Sequence, residues 1–252
     1  MIVDTHCHIY EEYYDNIDDF IKEIEEEKII LIVNGISPNT NKEVIKLTKK
    51  YDNVYGTLGF HPSEVDNIKD EDFKDLEEQL KLNKILGIGE IGLDYYWRDD
   101  NKKKQINIFK KQLDIAQKYN YPVIIHNRES TEDMLSILKK YNLKGIIHAY
   151  TKSAELAKEF IKLGYKIGIG GVLTFKNTNL KEVVKELKIK DMVLETDSPY
   201  LTPEPHRGKQ NSPIYIKYIA KELSKIKEIP YQKLKEIIRA NTLEIFDFNT
   251  KK

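Results

Sequence analysis

A single cysteine, Cys7, leaves no partner for an internal disulfide and rules out every Cys-rich zinc motif. Any metal site in this chain has to be built from histidine and carboxylate. No stretch approaches the roughly 18 apolar residues of a membrane-spanning helix. Met1-Ile2-Val3-Asp4 opens a strand without the charged and apolar regions of a signal peptide, so a cytoplasmic location away from membranes is expected. Neither charge sign dominates: 41 basic residues balance 41 acidic ones. That argues against a broad basic face for nucleic acid while leaving room for a local basic groove. There is no Gly-x-Ser-x-Gly elbow, which disfavours a serine nucleophile. No Gly-rich dinucleotide turn follows the first strand, which disfavours an open doubly wound sheet. No low-complexity or Pro/Ser-rich linker divides the chain, and residues 1–252 read as one domain.

Short runs of Ile, Val and Leu alternate with longer charged segments of helical period. Strands are predicted at 2–5, 29–34, 54–59, 85–91, 122–126, 145–148, 166–170 and 192–195. Helices are predicted at 17–27, 40–51, 71–82, 102–119, 131–141, 153–163, 180–187 and 214–226, several preceded by an Asn, Ser or Thr in N-cap position. A helical tail follows at 231–246, with a break expected near Asn241. Eight strand-helix repeats predict an α/β fold, a single (β/α)8 TIM barrel with that tail added. The longest irregular stretch, 198–213, carries prolines 199, 203, 205 and 213 between the last strand and its helix. A loop of that length in a compact domain is often functional.

Barrel enzymes place their chemistry at the C-terminal ends of the strands. His6 and His8 end the first predicted strand, His61 follows the third, and Glu90 ends the fourth. His126 and His148 end the fifth and sixth, Asp197 follows the eighth, and His206 lies in the long loop. One histidine so placed would mean little, but this many on one rim point to a site. In an extended Asp4-Thr5-His6-Cys7-His8, alternation sends Asp4, His6 and His8 to one side. Two imidazoles can then share a cation, with Asp4 as an acceptor orienting one of them. Cys7 points away and reads as a packing residue. Glu90, set among Gly87, Gly89 and Gly92, can bridge two cations, while Asp94 is placed to cap or brace the loop. Asp197 can ligate and take a proton from water, with Glu195 two residues behind it as support. Four histidines and two carboxylates suit two divalent cations, most naturally zinc or manganese, since imidazole fits magnesium less well. Hydrolysis is the implied reaction class.

The segments Asp4-Thr5-His6-Cys7-His8, Gly59-Phe60-His61-Pro62, Gly89-Glu90-Ile91-Gly92-Leu93-Asp94-Tyr95-Tyr96, Glu195-Thr196-Asp197-Ser198-Pro199-Tyr200-Leu201 and Arg207-Gly208-Lys209 lie in one order. With Asn211 and Pro213, this series resembles the signatures of the TatD family of metal-dependent deoxyribonucleases, among the amidohydrolase-like barrels. The resemblance implies metal ligands at His6, His8, Glu90, His126, His148 and Asp197, with Glu90 bridging and magnesium added to zinc and manganese as a choice of cation. It implies hydrolysis of DNA phosphodiesters, typically single-stranded and from the 3′ end, with DNA repair or degradation as the setting. Asp197 would be ligand and general base, and Glu90 and His61 would join it in catalysis, His61 touching the scissile phosphate. Arg207 would hold a phosphate, and Tyr95, Tyr96 and Trp97 would stack on unpaired bases. After His148 the family usually has a small residue, an aromatic and then Ser-Gly. This chain has Ala149-Tyr150-Thr151-Lys152, which alters the shape of that loop. The alternatives are a binuclear hydrolase of another small ester or amide, and a non-catalytic nucleic-acid-binding module. The oligomeric state stays open, a monomer among the choices.

Overall fold

A computed structural model describes residues 1–248. Eight strands run β1 (Ile2–Cys7), β2 (Ile29–Asn34), β3 (Val54–Leu58), β4 (Ile85–Asp94), β5 (Val123–Arg128), β6 (Gly145–Ile147), β7 (Tyr165–Ile169) and β8 (Met192–Leu194). Each pairs in parallel with the next, in chain order. The two edges meet where Ser198 bridges Cys7, and where the N–H of His8 donates to Ser198 and the N–H of Asp197 to His6, at 2.7 and 2.9 Å. The sheet is thus a nearly closed barrel, as the eightfold repeat predicts.

The helices between the strands are α1 (Ile17–Glu26), α2 (Pro38–Lys50), α3 (Asp70–Gln79), α4 (Lys102–Tyr119), α5 (Thr131–Leu138), α6 (Ala154–Lys162), α7 (Leu180–Glu186) and α8 (Ile216–Lys227), followed by α9 (Tyr231–Ile245). Asn16, Ser37 and Ser153 accept from the opening turns of α1, α2 and α6, satisfying backbone donors that a helix start leaves free. Apolar faces of the helices cover the outside of the strands, which explains why the strand sequences are apolar on both faces. α9 runs unbroken through Asn241, contrary to the expected break. The Asn241 amide is buried and donates to the carbonyls of Ile189 and Met192, so a residue that reads as a helix breaker is a bracket between α9 and β8.

Inside the barrel lies a second, separate apolar cluster. Val3, Ile32, Leu86, Ile124, Ile146 and Val193, one residue from each of six strands, pack there with Ile245 and Phe246 from the end of α9. The tail therefore seals the floor of the barrel, opposite the strand ends that carry the histidines. β1, β4 and β5 run further than predicted, to Cys7, Asp94 and Arg128, so the reactive residues sit within strands as well as beyond them. Among the described residues no helix is long and apolar enough to cross a membrane. Of the single-domain expectation, residues 249–252 lie outside the described residues.

Candidate metal centre

The first donor set comes from β1, β4 and the segment after β8. A register shift between Asp4 and Cys7 turns β1 so that His6 and His8 aim their Nε2 atoms at one point, 3.1 Å apart. His6 Nε2 lies 3.4 Å from Glu90 Oε2 and 3.5 Å from Asp197 Oδ1, and His8 Nε2 lies 3.4 and 3.6 Å from the same atoms. Donors held tetrahedrally at about 2.0–2.2 Å from a zinc-sized cation stand about 3.3–3.6 Å apart. The spacing fits such an ion. His8 is prepared for it on its outer side: Nδ1 lies 3.2 Å from the Asn34 carbonyl, which only accepts, so the proton sits on Nδ1 and the Nε2 lone pair faces inward. The Tyr10 hydroxyl donates to the same carbonyl.

The second set shares Glu90 through its other oxygen. Glu90 Oε1 lies 2.9 Å from His126 Nδ1 and 2.8 Å from His148 Nε2, and those nitrogens are 3.2 Å apart. His126 Nε2 meets Asp94 Oδ2 at 2.9 Å, which again fixes the proton on the outer nitrogen and leaves Nδ1 for a cation. Asp94 therefore does more than brace its loop. Its Oδ1 caps the N–H groups of Tyr96 and Trp97 at 3.0 and 3.3 Å, while Oδ2 orients a ring in the centre.

Electrostatics sets His6 apart from His8, His126 and His148, in all of which burial is outweighed by the carboxylates beside them and the pKa is raised. Burial lowers His6 to a pKa of about 4, despite Glu90, so its imidazole is neutral. Burial pulls His148 down too, but the charge of Glu90 and the hydrogen bond to it prevail and raise His148 to about 9. A proton and a cation therefore compete for that nitrogen. Glu90 is itself pushed up by burial, yet the surrounding imidazoles, His148, His61 and His6 foremost, hold it well below the usual carboxylate range.

His61 stands beside both sets, with Nε2 3.5 Å from Glu90 Oε1. Its Nδ1 accepts the N–H of Ser63 at 3.1 Å, so the neutral ring carries its proton on Nε2 and offers a donor to the cavity. Burial keeps it neutral, at about 3. His61, Glu90 and His126 also lie close enough to hold an ion together, but this tautomer suits hydrogen bonding.

Four expected placements need correction. Asp4 orients no imidazole: its carboxylate accepts from Thr196 N, Thr196 Oγ1 and His6 N, at 2.9, 2.5 and 3.3 Å, and so clamps β1 to the segment carrying Asp197. Glu195 supports the His148 loop, accepting from Ala149 N, and lies 3.9 Å from His148 Nδ1. It fills the space left beside Gly168, where an added Cβ would come within 2.4 Å of its Oε2. Tyr95 turns away from the cavity, its hydroxyl donating to Asp133 at 2.8 Å. Arg207 lies flat on Phe175, 3.9 Å from the ring centroid, and donates to the Thr202 carbonyl, outside the cavity wall. Nearby, His206 stacks on Tyr215, away from the other five histidines. As expected from alternation, Cys7 faces outward, its thiol near the Ile32 carbonyl.

The donor sets lie at the base of a cavity of about 680 Å³, walled by Tyr13 and Tyr200 on one side and by Trp97 and Arg128 among its other lining residues. The hydroxyls of Tyr13 and Tyr200 are 2.7 Å apart. Arg128 was legible in principle, because alternation along β5 puts it on the face of His126, one step further out.

The model of the TatD related DNase family matches residues 3–247. The chain belongs to this family. The metal-dependent hydrolase YabD of Bacillus subtilis is 37% identical over 255 residues, covering 99% of this chain and 100% of its own. The metal-dependent hydrolase YcfH of Escherichia coli is 30% identical over 255 residues, covering 97% and 95%. The crystal structure of YjjV, a TatD homolog from Escherichia coli, superposes with a TM-score of 0.91 at 26% identity, over 97% of both chains. As a member of the TatD related DNase family, the protein is a metal-dependent hydrolase with candidate binuclear sites.

Proposed function

We propose that the protein hydrolyses phosphodiester bonds of DNA, removing nucleotides from the 3′ end of single strands. One observation carries this reading: two donor sets joined through the two oxygens of Glu90 at the base of a cavity, in a chain of the TatD related DNase family. His6, His8, Glu90 and Asp197 would hold one divalent cation, and Glu90, His126 and His148 the other, with zinc or manganese favoured by the imidazoles and magnesium kept in the test. Cations held there supply Lewis-acid polarisation of a phosphoryl oxygen and lower the pKa of water.

The side chains around them divide the remaining work. Burial pushes Asp197 up, but its hydrogen bond from His8 and the nearby imidazoles hold it below the usual range, so it stays ionised and accepts the proton of the attacking water. The Nε2–H of His61 donates to a non-bridging oxygen of the scissile phosphate. Glu90 keeps both sets in register. The cavity lies within the roughly 300–1,000 Å³ of small-ligand sites, which suits a strand end better than a duplex. Every proposed ligand comes from one chain, so we read the active unit as a monomer. We read its setting as the cytoplasm, with DNA degradation or repair as its role.

A time course on 5′-labelled single-stranded DNA tests this, using stripped protein with magnesium, manganese or zinc added back and Asp197→Asn beside it. Shortening from the 3′ end, only with metal and only with Asp197 intact, is the expected result. Turnover of small esters or amides without any cleavage of DNA would replace the nuclease by the small-ester reading. Strand binding with no turnover in any metal would favour the non-catalytic module.

A further inference from the structure

The charges of the cavity wall single out one side chain. Apart from the ligands and His61, the carboxylates and cations lining it are Asp94, Arg128, Glu129 and Lys152. Asp94 is engaged by His126, and Lys152 Nζ lies 3.0 Å from Glu129. Arg128 has no carboxylate partner, and its guanidinium makes no hydrogen bond among the described residues. Its contacts are aromatic: Cζ lies 4.0 Å from the centroid of the Tyr96 ring and 5.2 Å from that of Trp97. A guanidinium laid on an aromatic face keeps its rim of donors free. The two rings meet edge to face at 5.0 Å and are left to water, Tyr96 58% and Trp97 73% exposed. Exposed aromatic surface of this size beside an unpaired cation marks a recognition site.

Two links tie this cluster to the metal centre. Along β5, His126 and Arg128 share a face by alternation. Across the loop, the Asp94 carboxylate that orients His126 also closes the turn carrying Tyr96 and Trp97. One carboxylate therefore joins the ligand ring to the turn that carries the aromatic pair.

We propose that Arg128, Tyr96 and Trp97 form a strand-holding subsite, in which the Arg128 guanidinium receives the phosphodiester next to the scissile one and an unpaired base stacks on Trp97. Naming the ligand as a nucleic acid strand rests on the nuclease reading above. The chemistry of the subsite points the same way, because an anion and a π-face one step apart are the repeating unit of a single strand. A neutral ester or amide offers the guanidinium a carbonyl acceptor but no charge to pair with it. Arg128 thus takes the place that the family resemblance gives to Arg207.

The chain's one tryptophan is Trp97, so its fluorescence reports on this subsite alone. The metal-loaded protein is titrated with a short phosphorothioate oligothymidylate, which keeps the backbone charge and resists cleavage. Saturable quenching is expected. Arg128→Gln should weaken binding about tenfold or more, the scale of a charge-assisted hydrogen bond. It should also flatten the log–log dependence on salt by about 0.7, the loss of one phosphate contact to a single strand. Arg128→Lys should restore the salt slope without the full affinity, while Arg207→Gln titrates as the wild type. No quenching, or an Arg128→Gln protein with unchanged affinity and slope, overturns the subsite. Cleavage of an ordinary strand is measured separately. Quenching without cleavage would sink the nuclease reading and leave the subsite standing, and cleavage without quenching would do the reverse.

Discussion

The floor and the rim of the barrel interior are built by the same strands, a few residues apart. On β5, Ile124 packs in the floor and His126 faces the centre; Ile146 of β6 gives way to His148 just past the strand; Val193 of β8 is followed, beyond its end, by Glu195 and then Asp197. The floor asks only for volume, and burial of apolar side chains rewards it. The rim asks for polar groups close together and away from water, which burial opposes. Glu195 is driven up to about 8 and Asp4 to about 7, in each case by burial first. One end of the barrel supplies stability and the other uses it, as expected when a buried polar site is carried by a well-packed scaffold.

The strongest challenge to this division is Glu90→Gln. An amide nitrogen would face lone pairs in one set or the other, so both sets should lose affinity. Turnover should fall by more than the roughly 100-fold that removal of an outer partner costs, with the circular dichroism of the fold unchanged. Loss of the fold along with activity would mean that the rim is structural too. Phe246→Ala attacks the opposite end. Emptying a side chain only 1% exposed should cost about 3–5 kcal/mol in urea unfolding, while the protein that remains folded binds metal in the same ratio. A changed ratio would show that floor and rim are coupled. Asp94→Asn sharpens the contrast within the rim: affinity of the set containing His126 should drop about 10- to 100-fold by chelator competition, with the His6 and His8 set unaffected. The smallest effect is expected from Asn241→Ala, which orphans two carbonyls at about 1–2 kcal/mol and leaves metal binding alone.

Strand order and the rim were legible because both follow from alternation and period, which survive in a bare sequence. His6, His8, Glu90, His126, His148 and Asp197 converge because each lies toward or just past the C-terminal end of a strand in a nearly closed barrel, where topology does the positioning. Residues in loops and turns carried no such guide. Arg207 and Tyr95 have the right chemistry but are drawn off by Phe175 and Asp133, partners remote in sequence. Asp4 was expected on the face of His6, but it pairs with Leu31 on the outer side ahead of the register shift in β1, and its partner is Thr196, 192 positions away across the barrel seam. Asn241 misled for the same reason, since its side chain answers to carbonyls at 189 and 192 rather than to its own helix.

The apolar floor has a bearing on how the chain is made. Ile245 and Phe246 follow all eight strands, so on a ribosome the wall of the barrel can assemble before anything stops its lower opening. Until those two residues emerge, six inward-facing aliphatic side chains line a channel open to water. A nascent chain halted before residue 245 would carry every metal ligand and still be a leaking vessel, recognisable to the chaperones and proteases that survey exposed apolar surface.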